Sequence, residues 1–279
     1  MASEPQYPIR EVSRLTGINP VTLRAWQRRY GLLKPARTEK GHRLYSDEDI
    51  ALIRQILHWL EQGVSIGQVK GLLNHPQPVE EGSNWEQARQ SLLAAACELN
   101  IGRLEAELNE LASLYPAELL LRHVIRPWLL NLTQLERPDA QLIEQSATAL
   151  LARVFTQLLT IKTGLRVAVA RAGQCHELAG LLTCFELQGL ECRSICLGHP
   201  EPLQLPLSAG RLQYDALIVV LGGGLTQSWF SERAHCWPEH CFFTGELGQV
   251  YAEQGWLECP YETTVSELAR KHDATFGLV

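Results

Sequence analysis

Near residue 165 the hydrophobic period of this chain changes, and that change bounds the architectures open to it. Before it, WEQARQSLLAAACELNIGRLEAELNELASLY (85–115), AELLLRHVIRPWLLNL (117–132) and DAQLIEQSATALLARVFTQLLT (139–160) place apolar residues at helical spacing. After it, LRVAVAR (165–171), ECRSICLG (191–198), QYDALIVVLGGG (213–224) and CFFTGEL (241–247) read as short strands with helical stretches between them. A helix is expected over 176–188, a short helix or loop over 201–210, and a final helix at the end of LECPYETTVSELARKH. Strands alternating with helices argue a doubly wound parallel sheet, with ligands at the carboxyl ends of its strands. Gln174, Cys175, His176 and Gly222 to Gly224 fall there. The helical stretch before it predicts a four-helix bundle over 84–160, and Pro127 is expected to kink it without ending it.

Ahead of the bundle stands a third, smaller module. Residues 1–75 carry a net charge of +4, whereas the whole chain carries −6. Seven basic residues and one acidic residue fall within 19–45, so the basic charge is local and predicts a polyanion contact there. Ile9, Val12 and Leu15 share a helix face that Gly17 ends. Asn19 is a good N-cap, Pro20 suits the first helical position, and Val21, Leu23 and Trp26 supply apolar content before Gly31. Two short helices and a tight turn read as helix-turn-helix, with Thr22, Arg24, Arg28 and Arg29 on the second helix. GHRLY (41–45) reads as a strand of a β-wing, and Ser46-Asp47-Glu48 as the cap of a helix whose apolar face is Ile50, Ile53, Ile56, Leu57 and Leu60. SIGQVKGLL adds a short helix, and LNHPQPVEEGSN (73–84) reads as a linker. The expected domains are 1–76, 84–160 and 163–279.

Several function classes are disfavoured. No apolar run reaches 18 residues, and MASEPQYPIREV lacks an export signal, so a cytoplasmic protein is expected. The eight cysteines are expected to be buried, reduced thiols, because Cys175-His176 and His235-Cys236 lack zinc-module spacing. No nucleophile elbow, HExxH or P-loop appears, and the GGG after the third strand is not a dinucleotide fingerprint, so no enzyme and no metal are expected.

The run VTLRAWQRRYGLLKPARTEKGHRLYSDEDI, with the helix ending at Gly63 and SIGQVKGLL, resembles the MerR family of transcription regulators, in the branch of MlrA, CarH and LitR. The resemblance spans 7–75. It implies a recognition helix in the major groove carrying Thr22, Arg24, Trp26, Gln27, Arg28 and Arg29. Tyr30 is the aromatic after it, and Arg37, His42, Arg43 and Tyr45 lie in the wing. Trp26 reads more as a packing residue than as a base reader, and Arg28 and Arg29 more as phosphate contacts than as base readers.

The order of head, bundle and α/β domain resembles the light-sensing members of that branch, whose last domain is a Rossmann-like cobalamin-binding module. Their strand-end E-x-H-x-x-G supplies a cobalt ligand. AGQCHELAG (172–180) keeps the histidine as His176 but has Gln174 for the glutamate and Ala179 for the glycine. In the bundle, Glu144-Gln145 replaces a Glu-His pair and Gln134 stands where a tryptophan is expected, with Trp128 six residues earlier. The resemblance thus implies a degenerate cobalamin-type domain. The expected function is a promoter-binding transcriptional regulator that acts without cofactor, through a protein partner such as a photoreceptor, another ligand or oligomerisation. The alternative is an adenosylcobalamin-binding, light-responsive repressor. RNA polymerase and a homodimer or tetramer, paired through the helix at 47–62, are the further partners implied, with no membrane.

Overall fold

The computed structural model describes residues 7–74, 83–161, 163–201, 204 and 213–276. Most of the expected linker at 73–84 and most of the helix or loop expected at 201–210 lie outside them. The chain divides into two compact units, Met1–Val154 and Phe155–Val279. The basic head and most of the bundle therefore share one unit.

In the first unit, α1 (Ile9–Thr16) stops at Gly17, which takes the left-handed φ of 69° that glycine adopts without strain. Asn19 Oδ1 accepts from Val21 N–H and opens α2 (Pro20–Ala25), with Pro20 at the first helical position. The helix widens into a π-turn over Trp26–Tyr30 before left-handed Gly31 ends it. Strands β2 (Ala36–Arg37) and β3 (Arg43–Tyr45) make the expected wing, and β1 (Tyr7–Pro8) adds a third strand that the sequence did not announce. Ser46 caps α3 (Asp47–Glu61) in a reciprocal capping box with Asp49, and Ile50, Ile53, Ile56 and Leu60 are its buried stripe. Helix α4 (Ile66–Asn74) follows.

The bundle has the four expected rods: α5 (Ser83–Cys97), α6 (Ile101–Leu114), a composite third rod, and α9 (Ala140–Leu158). The third rod runs from α7 (Ala117–Leu120) through a π-turn (Leu121–Ile125) into α8 (Arg126–Thr133). Pro127 sits at the start of α8, so the wider turn absorbs the ring that an unbroken helix would not tolerate. Proline has no N–H for the carbonyl of His123 four residues back, and Arg89 Nη1 donates to that oxygen at 2.6 Å.

The second unit is a five-stranded sheet in the order β5-β4-β6-β7-β8, every pair parallel. Its strands are β4 (Arg166–Ala172), β5 (Arg193–Gly198), β6 (Ala216–Leu221), β7 (Cys241–Thr244) and β8 (Tyr261–Glu262), the last again unannounced. The first strand of this unit, β4, lies between its second and third, which is a flavodoxin-like doubly wound order with its switch point between β4 and β6. All six residues of β6 are buried, as a central strand covered on both faces requires. Helix α10 (Ala179–Gly189) begins three residues later than the sequence suggested. The helices α11 (Gln227–Ser231), α12 (Gly248–Glu253), α13 (Val265–Lys271) and α14 (Asp273–Phe276) complete the unit.

The expectation of uniformly buried cysteines fails. Cys184, Cys192, Cys236 and Cys241 are buried, but Cys97, Cys175 and Cys259 are half-buried and Cys196 is exposed. The edge position of β5 accounts for Cys196, since an edge strand has a neighbour on one side only.

Candidate nucleic-acid interface

Helix α2 and the wing converge through one pair of side chains. Arg43 Nε on β3 donates to Gln27 Oε1 at 2.6 Å, so the wing's arginine and the π-turn after α2 are tied together. Arg24 and Arg43 both lie close enough to the Tyr45 phenol to act on it, although burial dominates and pushes that phenol's pKa up. Tyr45 is fully buried, and its hydroxyl has no partner among the described residues. Arg28 and Arg29 are exposed, as are Arg37 and His42 in the wing. The wing tip is a tight turn in which Thr38 N–H donates to His42 O at 2.9 Å and Gly41 N–H to Thr38 O at 2.8 Å. Gly41 has a φ of 80°, which makes that tip accessible to glycine.

Not every residue expected at the interface faces solvent. Thr22 is 1 % exposed and Trp26 0 %, whereas Val21, which the sequence assigns to the apolar side, is 51 % exposed. The Trp26 indole Nε1 donates to Leu114 O at 2.8 Å, at the end of α6. Trp26 therefore packs inside the unit. Tyr30 is half-buried and its carbonyl accepts from Lys70 Nζ on α4 at 3.3 Å, which fixes the end of the π-turn. Lys34 and Lys40 are exposed and extend the basic strip. Charge counting found the strip, Lys34 and Lys40 included, but not that Thr22 turns inward while Val21 turns outward.

At the carboxyl ends of the sheet, His176 is half-buried, and its Nδ1 accepts from Leu178 N–H at 3.1 Å. A neutral imidazole that accepts at Nδ1 carries its proton on Nε2, and that nitrogen then has no lone pair to give. The switch point itself is stitched. Gln174 and Gly223 form an antiparallel bridge, with both N–H···O bonds at 2.8 Å. A Cβ on Gly222 would stand 2.4 Å from Gln174 O, so the two strand ends approach as closely as glycine permits. Tyr251 Oη donates to Gly222 O at 2.8 Å and holds the same loop from β7's side. In the bundle, Trp128 is fully buried with Nε1 unpartnered among the described residues, Glu144 is half-buried, and Gln134 and Gln145 are exposed. Among the described residues no group of three or more His, Cys, Asp or Glu side chains could hold a metal ion. None of their helices is long and apolar enough to cross a membrane.

The model of the MerR HTH family regulatory protein matches residues 7–75. The HTH-type transcriptional regulator MlrA of Escherichia coli is 44 % identical over 135 residues, which are 48 % of this chain and 55 % of MlrA. The chain thus matches about half the length of that relative. The HTH-type transcriptional repressor CarH of Myxococcus xanthus is 27 % identical over 223 residues, 72 % of this chain and 74 % of CarH. A solved cobalamin-binding protein from Desulfitobacterium hafniense superposes with a TM-score of 0.31 at 14 % identity, covering 67 % of this chain and 98 % of that one, too loosely to speak for fold or ligand. The family match coincides with the helix-turn-helix, the wing and the capped helix after it, so residues 7–75 are similar to the MerR HTH family of regulators.

Proposed function

We propose that this chain is a promoter-binding transcriptional regulator whose C-terminal unit works without cobalamin. The observation that carries the DNA-binding part is the Arg43–Gln27 bond, which makes recognition helix and wing one surface. Arg24, Arg28, Arg29, Arg37 and His42 border that surface. A helix of this width enters the major groove while the wing's basic groups meet the flanking phosphates. Two copies paired along α3 would present two such surfaces to successive grooves of a near-palindromic element. Small changes in pair geometry would then alter how the promoter is deformed for RNA polymerase. The protein acts by binding and assembly and not by catalysis.

The cofactor-free reading is supported by the His176 tautomer and the stitched switch point. An imidazole protonated on Nε2 does not offer that nitrogen to cobalt, and the Gln174–Gly223 bridge ties together the strand ends beside which a doubly wound sheet takes its ligand. The C-terminal unit responds instead to a protein partner, another ligand or a change in oligomer, a dimer or a tetramer. The test is purified chain mixed with adenosylcobalamin in the dark and passed through gel filtration. The expected eluate has no corrin spectrum. A stoichiometric spectrum that is lost on His176→Ala would overturn this reading in favour of an adenosylcobalamin-responsive, light-sensitive repressor.

A further inference from the structure

Helix α10 packs against the edge strand β5 at very short range. A Cβ on Gly180 would stand 2.7 Å from Cys196 Sγ, so the absence of a side chain at 180 is what admits the thiol. Cys184 lies one helical turn beyond Gly180 and therefore on the same face of α10. Ser194 and Cys196 share one face of β5 by the two-residue period of a strand, and Ser194 Oγ donates to Cys184 O at 3.3 Å. Both ends of the contact thus bring Cys196 beside Cys184, close enough for each thiol to shift the other's pKa. Cys184 is completely buried, whereas Cys196 is exposed.

The pair is also polarised. The neighbouring Cys184 thiol, helped by the Gly198 backbone and the nearby Arg171 guanidinium, draws the Cys196 thiol down to about 6. The proximity of Cys196 and burial push Cys184 up. Arg171 is held in place by its own bond from Nη1 to His176 O at 3.1 Å. An exposed thiolate beside a cation, with a second thiol in contact, is the arrangement that reacts with oxidants and then resolves.

We propose that Cys196 is a peroxide-reactive thiol and that Cys184 resolves its oxidised form as an intramolecular disulfide. In the first step the Cys196 thiolate attacks one oxygen of hydrogen peroxide. An S–O bond forms, the O–O bond breaks, and the departing hydroxide takes up a proton to become water, leaving a sulfenic acid. In the second step Cys184 sulfur attacks the sulfenic sulfur, the S–S bond forms and the S–OH bond breaks. The hydroxide leaves as water with the proton that Cys184 gives up. Two thiols are oxidised, one peroxide is reduced, and two waters are released. This assignment is independent of what the head binds.

The experiment treats the reduced full-length chain with stoichiometric hydrogen peroxide, quenches with an alkylating reagent and maps the thiols by mass spectrometry. In the unmodified protein a Cys184–Cys196 cross-link is expected, with Cys196 lost about tenfold or more faster than half-buried Cys97. Cys184→Ala is expected to stop at a sulfenic acid on Cys196 that dimedone traps, and Cys196→Ser to leave Cys184 a thiol. Consumption of Cys196 no faster than Cys97 would overturn the proposal. So would a bridge from Cys196 to Cys175, whose thiol is also acted on by the Arg171 charge. The unmodified protein alone decides between these outcomes, so the result stands even where a variant folds poorly.

Discussion

Arg43 does two things that can be separated. It contributes charge to the wing, and it holds Gln27 at the end of the recognition helix. Arg43→Ala should weaken binding to a cognate promoter more than Arg28→Ala, because the second change removes exposed charge alone. Arg28→Ala should lower the slope of log affinity against log salt by about 1, the signature of one lost phosphate contact. Anisotropy titrations at several salt concentrations measure both, and unchanged affinity and slope for Arg28→Ala would place that side chain away from the DNA. At this scale the sequence made the charge legible and the burial illegible. Arg24, Arg28, Arg29, Arg37 and Arg43 were visible as a basic strip. That Thr22 turns inward while Val21 turns outward depends on partners far along the chain. The loss of the cobalt-ligand pattern at Gln174 and Ala179 was also visible in the sequence. The direction of the hydrogen bond at His176 was not, because it depends on a turn that places Leu178 N–H over Nδ1.

Helices in this chain are governed by their ends. The capping box of Ser46 and Asp49 satisfies free N–H groups at the start of α3; the sequence announced the Ser46 cap but not Asp49 as its partner. Ser46→Ala should cost about 1 kcal/mol, read from the midpoint of chemical denaturation. The composite third rod of the bundle was harder to foresee. Pro127 announced a disturbance, but its resolution into a π-turn needs Arg89, which lies 34 residues away in sequence and donates to His123 O. Arg89→Ala leaves that carbonyl short of a partner and should destabilise the protein by about 1–2 kcal/mol. A variant as stable as the parent in the same denaturation experiment would show that water replaces the guanidinium without loss. Remote capping recurs in the other unit. Glu186 on α10, 3 % exposed, accepts from Val265 N–H and Ser266 N–H at the start of α13 at 3.1 and 3.3 Å. Glu186→Ala should cost about 2–3 kcal/mol, since charged acceptors contribute more than neutral ones. The short strands β1 and β8, two residues each, were invisible because two residues carry no period.

Across the whole molecule, what the sequence made plain was the succession of architectures, and what it obscured was how the first two share a core. The change of period near 165 separated helical from α/β structure, and the sheet order that followed is one the alternation of elements permits. A boundary at 76 looked natural from the Pro, Gly and charge of the stretch after it. Yet the Trp26 indole donates to Leu114 O across 88 residues, and Asn84 Nδ2 donates to Tyr115 Oη at 3.1 Å beside it. Anyone cutting the gene after the wing and its capped helix would inherit an indole stripped of its acceptor and of the helix that covers it. Such a fragment should melt earlier and associate at concentrations where one ending at 154 stays monodisperse, and light scattering on the two would tell them apart. Portability of the head stops at Leu114: grafting it onto a foreign body requires bringing the first bundle hairpin along.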